Sequence, residues 1–310
     1  MANDHRVTVA ICTYRRPELA DAVQSVQKQV LPVDLALTIL VIDNDVDDRA
    51  RSLVEAMGAG MPWPVVYVHA PAQNVSIARN AALRSTETRW MAFLDDDETA
   101  PPDWLSTLWK ARGSGEAIFG PSIAVYPDGS PEWARACDFH SSIPQATRDG
   151  LETGISGNVL LDLGFVREQG LAFVEELGPT GGEDTIFFMH LRKRGGRLAW
   201  VPDAVVHEHP GLSRLTMRWV LRRKYRAGQT YALMRLLRGS KHRGLLVATA
   251  AGKSVAAALT SAVLVMSPAK ARWWWARSAF HFGVMKGALA AASGTILRVP
   301  VPAHETQAGV

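Results

Sequence analysis

Four consecutive acids, Asp95-Asp96-Asp97-Glu98, follow directly on the apolar run Trp90-Met91-Ala92-Phe93-Leu94. Adjacent carboxylates repel one another, and a cation among them relieves that repulsion. A hard divalent ion such as Mn²⁺ or Mg²⁺ takes oxygen ligands and keeps positions open for substrate phosphates. The plain alternative is a solvated acidic turn. The position after a buried strand favours a site, because parallel sheets present functional residues at strand ends. A second pair of acids, Glu183-Asp184, follows Gly181-Gly182 and opens a helical stretch. A carboxylate there gains from the positive end of the helix dipole. It can cap the helix or act as a general base toward a hydroxyl. His207-Glu208-His209 offers imidazole further on, and a lone surface histidine is more often plain polar filler.

These groups need a frame. Val7–Ile11, Leu37–Ile42, Val65–His69 and Trp90–Leu94 are short, β-branched or apolar runs that predict strands. Between them, Pro17-Glu18-Leu19 opens a helix with Leu19, Val23 and Val26 on one face. Arg49–Met57 and Ser76–Ser85 predict two more helices. Trp104–Arg112 predicts a helix and Ile118–Val125 a strand. Thr153–Leu163 reads as a strand or loop around Ser156-Gly157-Asn158. Thr185–Arg194 predicts a helix ended by Gly195-Gly196, and Leu198–Val201 and Ala204–His207 predict short strands. Alternating strands and helices predict an α/β fold: a Rossmann-like, mostly parallel sheet with helices on both faces. Tyr14, Asp43 and Asp95–Asp97 all fall at strand carboxyl ends, where such sheets bind ligands.

Five motifs occur in order: Thr13-Tyr14-Arg15-Arg16-Pro17, Val41-Ile42-Asp43-Asn44, Asn74 through Ala81, Phe93 through Glu98, and Gly182-Glu183-Asp184. Together they resemble family 2 glycosyltransferases of the GT-A fold, especially bacterial exopolysaccharide enzymes of the succinoglycan glucosyltransferase kind. The resemblance covers about residues 5–210. It implies inverting transfer of a sugar from a nucleotide-sugar, with UDP-sugar the expected donor and Mn²⁺ or Mg²⁺ the cofactor. It implies that Asp95 and Asp97 form the Asp-x-Asp that holds metal, diphosphate and ribose, with Asp97 the main metal ligand and Asp96 beside them. It assigns Asp43 to the uracil, Tyr14 to packing on that base, and Thr13, Arg15 and Arg79 to the nucleotide's surroundings. It favours Asp184 as base, Glu183 and Asn158 at the acceptor, and His207 over His209 as a further metal ligand. Asn44 and Asp45 stand where the family often has another acid and Gly-Ser, which leaves the base identity open.

Charge divides the chain. Residues 1–208 carry 18 Lys or Arg against 29 Asp or Glu, a net of −11. After Glu208 the next acid is Glu305, and sixteen basic residues against that one acid give +15. An acidic part suits metal and polar substrate, and a basic part suits a polyanion. We therefore expect a catalytic domain over 1–209 and a basic, helical, membrane-associating tail over 210–310. Leu212–Leu237 predicts an arginine-rich interfacial helix with Leu215, Trp219, Leu221, Tyr225 and Leu236 on its apolar side. Leu245–Met266 is mostly Ala, Val and Leu, but Lys253, Ser254, Thr260 and Ser261 make it fall short of a clean span. Arg272-Trp273-Trp274-Trp275-Ala276-Arg277 reads as an aromatic and cationic anchor. The tail could instead pack on the catalytic domain as a helical pair. No nucleic-acid-binding motif is present, so nucleic acid is not expected as a partner.

No signal peptide is read at the start, and Cys12 and Cys137 lie in no metal-ligand spacing. The expected location is the cytoplasmic face of a bacterial inner membrane, with a lipid-linked oligosaccharide or polysaccharide as acceptor. The alternative from another class is a membrane-surface polyanion-binding protein with a degenerate transferase half.

Overall fold

A computed structural model of the chain describes residues 5–144, 150–239 and 242–290. These fall into two compact units. The first takes in residues up to Val125, Ser141–Pro179 and Glu183–His209. The second takes in Tyr126–His140, Thr180–Gly182 and the chain from Pro210 onward. The second unit thus includes two short segments from inside the range expected to be catalytic.

The first unit opens with strand β1 (Arg6–Thr13), helix α1 (Leu19–Gln27), β2 (Ala36–Asp43), α2 (Arg51–Gly58), β3 (Val65–His69), α3 (Val75–Ser85) and β4 (Trp90–Asp95). A two-residue strand β5 (Glu98–Thr99) and helix α4 (Trp104–Lys110) follow, then β6 (Ala117–Phe119) and β7 (Ser122–Ala124). Helix α5 (Glu132–Cys137) belongs to the second unit. The first unit resumes with β8 (Asn158–Asp162), α6 (Leu163–Glu168), α7 (Glu183–Lys193), β9 (Leu198–Trp200) and β10 (Val206–Glu208). The second unit is completed by α8 (Met217–Leu237), α9 (Arg243–Val263) and α10 (Pro268–Ala290).

Seven strands form one sheet in the order β3-β2-β1-β4-β8-β6-β9. Strands β3, β2, β1 and β4 run parallel, β8 runs against both neighbours, and β9 is parallel to β6. Alternation along the strands assigns the two faces. Val7, Val9, Ile11, Ile39 and Val41 pack with Leu19, Val23 and Val26 of α1 and with Trp104. Ala10, Leu40, Ile42, Met91 and Phe93 pack on the other side with Ala78 of α3 and Phe187, Phe188 and Leu191 of α7. The expected doubly covered, mostly parallel sheet is what forms.

One predicted strand is broken in two. Ile118–Val125 splits at Gly120-Pro121 into β6 of the large sheet and β7 of a small one, ordered β5-β10-β7. A Cβ at Gly120 would collide with the Ala204 carbonyl, and Pro121 has no N–H to give a ladder, so the chain changes sheets there.

In the second unit Thr216 caps α8 by accepting the Trp219 backbone N–H. The packed side of α8 is Val220, Gly228 and Ala232, at helical spacing, with Leu215 buried just before the helix. Trp219, Leu221, Tyr225 and Leu236 are only half-buried. This corrects the expected apolar side. Gly228 and Gly283 explain the difference: at each, a Cβ would collide with the facing helix backbone, so α8 and α10 meet at small residues. Helix α9 is 21 residues long, and it is long and apolar enough to cross a membrane.

Candidate active site

Parallel register brings three strand ends together. Thr13 pairs with Asp43, and Cys12 pairs with Asp95, so the carboxyl ends of β1, β2 and β4 form one edge. After β1 the chain turns at Arg15, which adopts a left-handed backbone (φ 54°). There its guanidinium donates to both oxygens of Asp45, at 2.7 and 2.8 Å. Asp43 is buried. Its Oδ1 accepts the Asp45 N–H at 3.0 Å, and its Oδ2 accepts the Tyr67 hydroxyl at 2.8 Å. Burial and the Asp43 carboxylate push the Tyr67 phenol above its ordinary range. Between these turns lies a pocket of about 370 Å³ lined by Thr13, Arg15, Pro17, Asp43, Asp45 and Leu53, among others. Tyr14 stands exposed beside it, with the Arg15 guanidinium 5.3 Å from its ring. The Thr13 hydroxyl is buried and faces the Asp96 carboxyl.

The neighbouring turn is set by Asn44 and Asn74. Asn44 accepts the Asn74 N–H at 2.5 Å and donates to the Ala70 carbonyl at 2.7 Å. Asn74 in turn caps α3 through the Ser76 and Ile77 N–H groups. This cap starts the helix that carries Arg79.

The four acids part company. Asp95 ends β4 with its carboxylate 45% exposed. Asp96 and Asp97 make a tight turn and are nearly buried. Burial, and then the charge of Asp97, lift Asp96 to about 7. Burial and Asp95 lift Asp97 to about 6. Arg16 stands 3.7 Å from Asp96 and 3.6 Å from Asp97. Glu98 turns inward as part of β5. It accepts the Ser122 hydroxyl at 2.5 Å and the Asp95 N–H at 3.2 Å, and it faces Glu208 across the small sheet. Burial and Asp95 raise its carboxyl well above the ordinary range. Glu98 is therefore a core acid, and the turn's outward chemistry rests on Asp95, Asp96 and Asp97. An all-oxygen set in which Asp96 and Asp97 are held above the ordinary carboxylate range fits a hard divalent cation, whose charge would favour their ionised forms. Among the described residues, no group of three or more His, Cys, Asp or Glu side chains is placed to hold a metal ion.

Gly157 makes room for Asp95. A Cβ there would lie 2.8 Å from Asp95 Oδ2 and 3.2 Å from Glu98 Oε2. Ser156 beside it has a buried hydroxyl with no partner. Asn158 does something other than expected. Its side chain is fully buried, accepts the Trp104 indole N–H at 2.9 Å, and donates to the Pro121 and Ala204 carbonyls at 3.0 and 2.7 Å. With both donors and its carbonyl spent inside the fold, Asn158 pins the point where the chain leaves the large sheet. It is a structural residue, and its expected place at the acceptor is withdrawn on that ground.

Helix α7 reaches the same edge. Arg79, from α3, donates to Glu183 Oε1 at 2.5 Å and stands 3.7 Å from Asp95 Oδ1. Its guanidinium lies 5.6 Å from the Phe173 ring centre. Glu183 is buried, and its second oxygen has no partner. Asp184, half-buried at the first turn of α7, accepts the Thr185 N–H at 2.6 Å. Burial, and then the Glu183 charge, lift Asp184 to about 6, with Arg79 pulling the other way. Arg79 is thus a cationic bridge between the acid turn and the start of α7, reaching Glu183 from 104 residues earlier in sequence.

Of the two histidines, His209 is the one tied to the acid turn. Its N–H donates to the Asp97 carbonyl at 2.9 Å, and its Nε2 meets the Thr99 hydroxyl at 2.9 Å. His207 sits in β10 opposite Thr99, half-buried. The sequence did not single out Arg16, Asp45, Tyr67 or Gly157. Arg16 and Asp45 carried a signal, since Arg16 stands in the first motif and Asp45 directly follows the second; Tyr67 and Gly157 matter through folded contacts alone.

A doubly wound sheet with an acid turn at one strand end and a carboxylate helix beside it defines a class of transferase, and sequence comparison identifies it. The model of Glycosyl transferase family 2 matches residues 8–166, and the chain belongs to that family: it is a glycosyltransferase of the GT-A fold class. The chain is 39% identical over 289 residues to the succinoglycan biosynthesis protein ExoM of Rhizobium meliloti (strain 1021), covering 91% of this chain and 93% of that protein. It is 28% identical over 201 residues to the pre-mycofactocin glycosyltransferase of Mycobacterium tuberculosis (strain ATCC 25618 / H37Rv), covering 61% of this chain and 41% of that one. Among solved structures, S. aureus TarS 1-349 in complex with UDP-GlcNAc matches with a TM-score of 0.52 at 15% identity, over 94% of this chain and 93% of that one. This last is a likeness of fold.

Proposed function

We propose that the enzyme transfers a sugar from a UDP-sugar to a hydroxyl of a lipid-linked glycan, with inversion, in the assembly of an exopolysaccharide. The observation that carries this reading is the shared strand edge, where the Asp43 pocket, the Asp95–Asp97 turn and the Glu183-Asp184 helix start meet. In this reading the pocket takes the uracil, with Asp43 as its hydrogen-bond acceptor and Tyr14 and Arg15 over it. The likeness to ExoM supports a glycan of the succinoglycan kind, and the TarS complex supports a uridine nucleotide.

Inverting transfer is one in-line displacement, so the acceptor hydroxyl must lose its proton as it attacks. Asp184 is the base of this proposal. A carboxyl held near 6 is ionised at neutral pH yet more basic than an ordinary aspartate. Glu183 offers its unpartnered oxygen to an acceptor hydroxyl. Arg79 pairs with Glu183 and fixes the helix start relative to Asp95. Asp95 and Asp97 are the proposed ligands of Mn²⁺ or Mg²⁺, with His207 or His209 completing the set. When bound, the ion would neutralise the diphosphate and the charge it gains on leaving. We place the enzyme on the cytoplasmic face of a bacterial inner membrane, held by its basic helices.

A thermal-shift panel of nucleotide-sugars with Mn²⁺ tests the reading. A ligand at a hundred times its Kd adds roughly 2.7 kcal/mol, enough for a clear rise in Tm. One or more UDP-sugars should stabilise the protein, and Asp43→Ala should abolish the effect. A panel in which no uridine nucleotide stabilises it would overturn the donor assignment.

A further inference from the structure

Helix α9 is apolar enough to cross a bilayer, but its setting within the second unit argues for a different posture. It packs antiparallel on α10. Ser254 Oγ donates to the Ser278 carbonyl at 3.1 Å, Ser278 Oγ donates to the Ser254 carbonyl at 2.9 Å, and Ser261 Oγ donates to the Ala271 carbonyl at 2.8 Å. The remaining two hydroxyls of the helix, Thr249 and Thr260, bond back to the Leu245 and Ala256 carbonyls. All four hydroxyls of α9 are thus satisfied without water. The opposite side of α9 is bare and apolar. Leu245, Val255, Leu259 and Val263 are 60–80% exposed, and Met266 just beyond is 90% exposed.

The surroundings say what covers this side. Within the described part of the unit after Pro210 there are basic residues and no acidic ones, and Trp273 and Trp275 of α10 are exposed. Cations and exposed tryptophans in the same unit as an apolar strip match an anionic lipid surface. The same residues argue against a crossing. Lys253 is at the midpoint of α9 and exposed, so a spanning helix would hold it at the bilayer centre. Helix α10 accompanies α9 along its length and exposes Lys270, Arg277 and Lys286, which a crossing would also draw through hydrocarbon.

We infer that α9 lies in the plane of an anionic leaflet, with Leu245, Val255, Leu259, Val263 and Met266 sunk among the acyl chains, and does not cross it. This rests on the membrane-bound reading given above, and the test separates the two. Full-length protein is mixed with phosphatidylglycerol–phosphatidylcholine vesicles. Leu245→Cys, Leu259→Cys and Met266→Cys carry an environment-sensitive dye, with unsubstituted protein as the background for Cys12 and Cys137. Quenching by spin-labelled lipids should report one shallow depth for all three labels, about 5–10 Å below the headgroups. A gradient that puts Leu259 deepest, or a Met266 label reached only from the vesicle lumen, would overturn the in-plane posture while leaving membrane binding intact. Failure to sediment with vesicles would overturn the membrane reading itself. Dye buried without lipid, with cross-linked pairs of chains, would show that a second copy covers this side. As a second measure, Leu259→Lys with Val263→Lys should weaken vesicle binding roughly ten-fold or more, since two apolar side chains leave the lipid. Purely electrostatic attachment would instead be strengthened by the two added charges, and that result would also overturn the inference.

Discussion

Replacing Arg79 with methionine tests the bridge that joins the acid turn to the base helix. The guanidinium is 9% exposed, and it is bonded at 2.5 Å to a Glu183 side chain that is 8% exposed. Methionine fills much of the same space and leaves Glu183 buried without a counter-charge, with one oxygen already lacking a partner. Removing one member of a buried ion pair costs about 3–5 kcal/mol. For a chain of this size that corresponds to a fall in Tm of about 10 °C. The same charge holds down Asp184, so its carboxyl, near 6 in the native protein, should rise further. The sign follows from which form works. In the proposed mechanism Asp184 works in its ionised form, so the rate should increase as pH rises through about 6 in the native enzyme and over a higher window in Arg79→Met. Stability runs the other way. A carboxyl raised in the fold contributes stability that is full below its ordinary value and is lost as pH rises through its folded value. Calorimetry across this range, with UDP release measured in parallel, reads both effects. Arg79→Met with Glu183→Gln should recover much of the lost Tm, because neither charge is then stranded. An unchanged Tm and an unmoved pH profile in the single variant would refute the bridge.

Four further outcomes follow. Asp184→Asn should keep donor affinity by calorimetry and lose about 10²–10⁴-fold in turnover, because the amide cannot take a proton; near-normal turnover would move the base elsewhere. Asp97→Ala should remove Mn²⁺-dependent UDP binding, and in chelator it should leave Tm equal or higher, since one of the repelling acids is gone. Gly157→Ala should impair donor binding, because the new methyl lies 2.8 Å from Asp95 Oδ2 and 3.2 Å from Glu98 Oε2; a fold that tolerates it with native donor affinity would contradict those contacts. Asn158→Ala should lower Tm markedly, since buried carbonyls and the Trp104 indole lose their partner, with no specific rise in acceptor KM.

Much of the frame was legible because its signals are local. Strands β1 to β4 read from short apolar runs, α1 from Pro17 and the spacing of Leu19, Val23 and Val26, and the acid turn from its place after β4. What escaped depends on contacts distant in sequence. Gly120-Pro121 looked like the middle of a strand, and only the approach of Ala204 makes it a crossing between sheets. Asn158 looked like a polar residue beside a site, but three partners from separate segments make it a core fastener. Glu98 read as one acid of four, and pairing with β10 turned it inward. Arg79 could be placed near the nucleotide by motif, whereas its bond to Glu183 needed the fold. The glycines joining α8 to α10 look unremarkable in sequence, because only a facing backbone reveals why a side chain is forbidden.

The central claim is that this chain moves sugar from a UDP-sugar with Asp184 taking the proton. The direct measurement is UDP release from a panel of UDP-sugars, with Mn²⁺ and membrane lipid extract, by native protein and by Asp184→Asn side by side. The account predicts release from at least one donor by the native enzyme, stimulated by the extract, and a rate lower by about 10²–10⁴-fold in the variant. No release from any UDP-sugar, or equal release by both proteins, would contradict it.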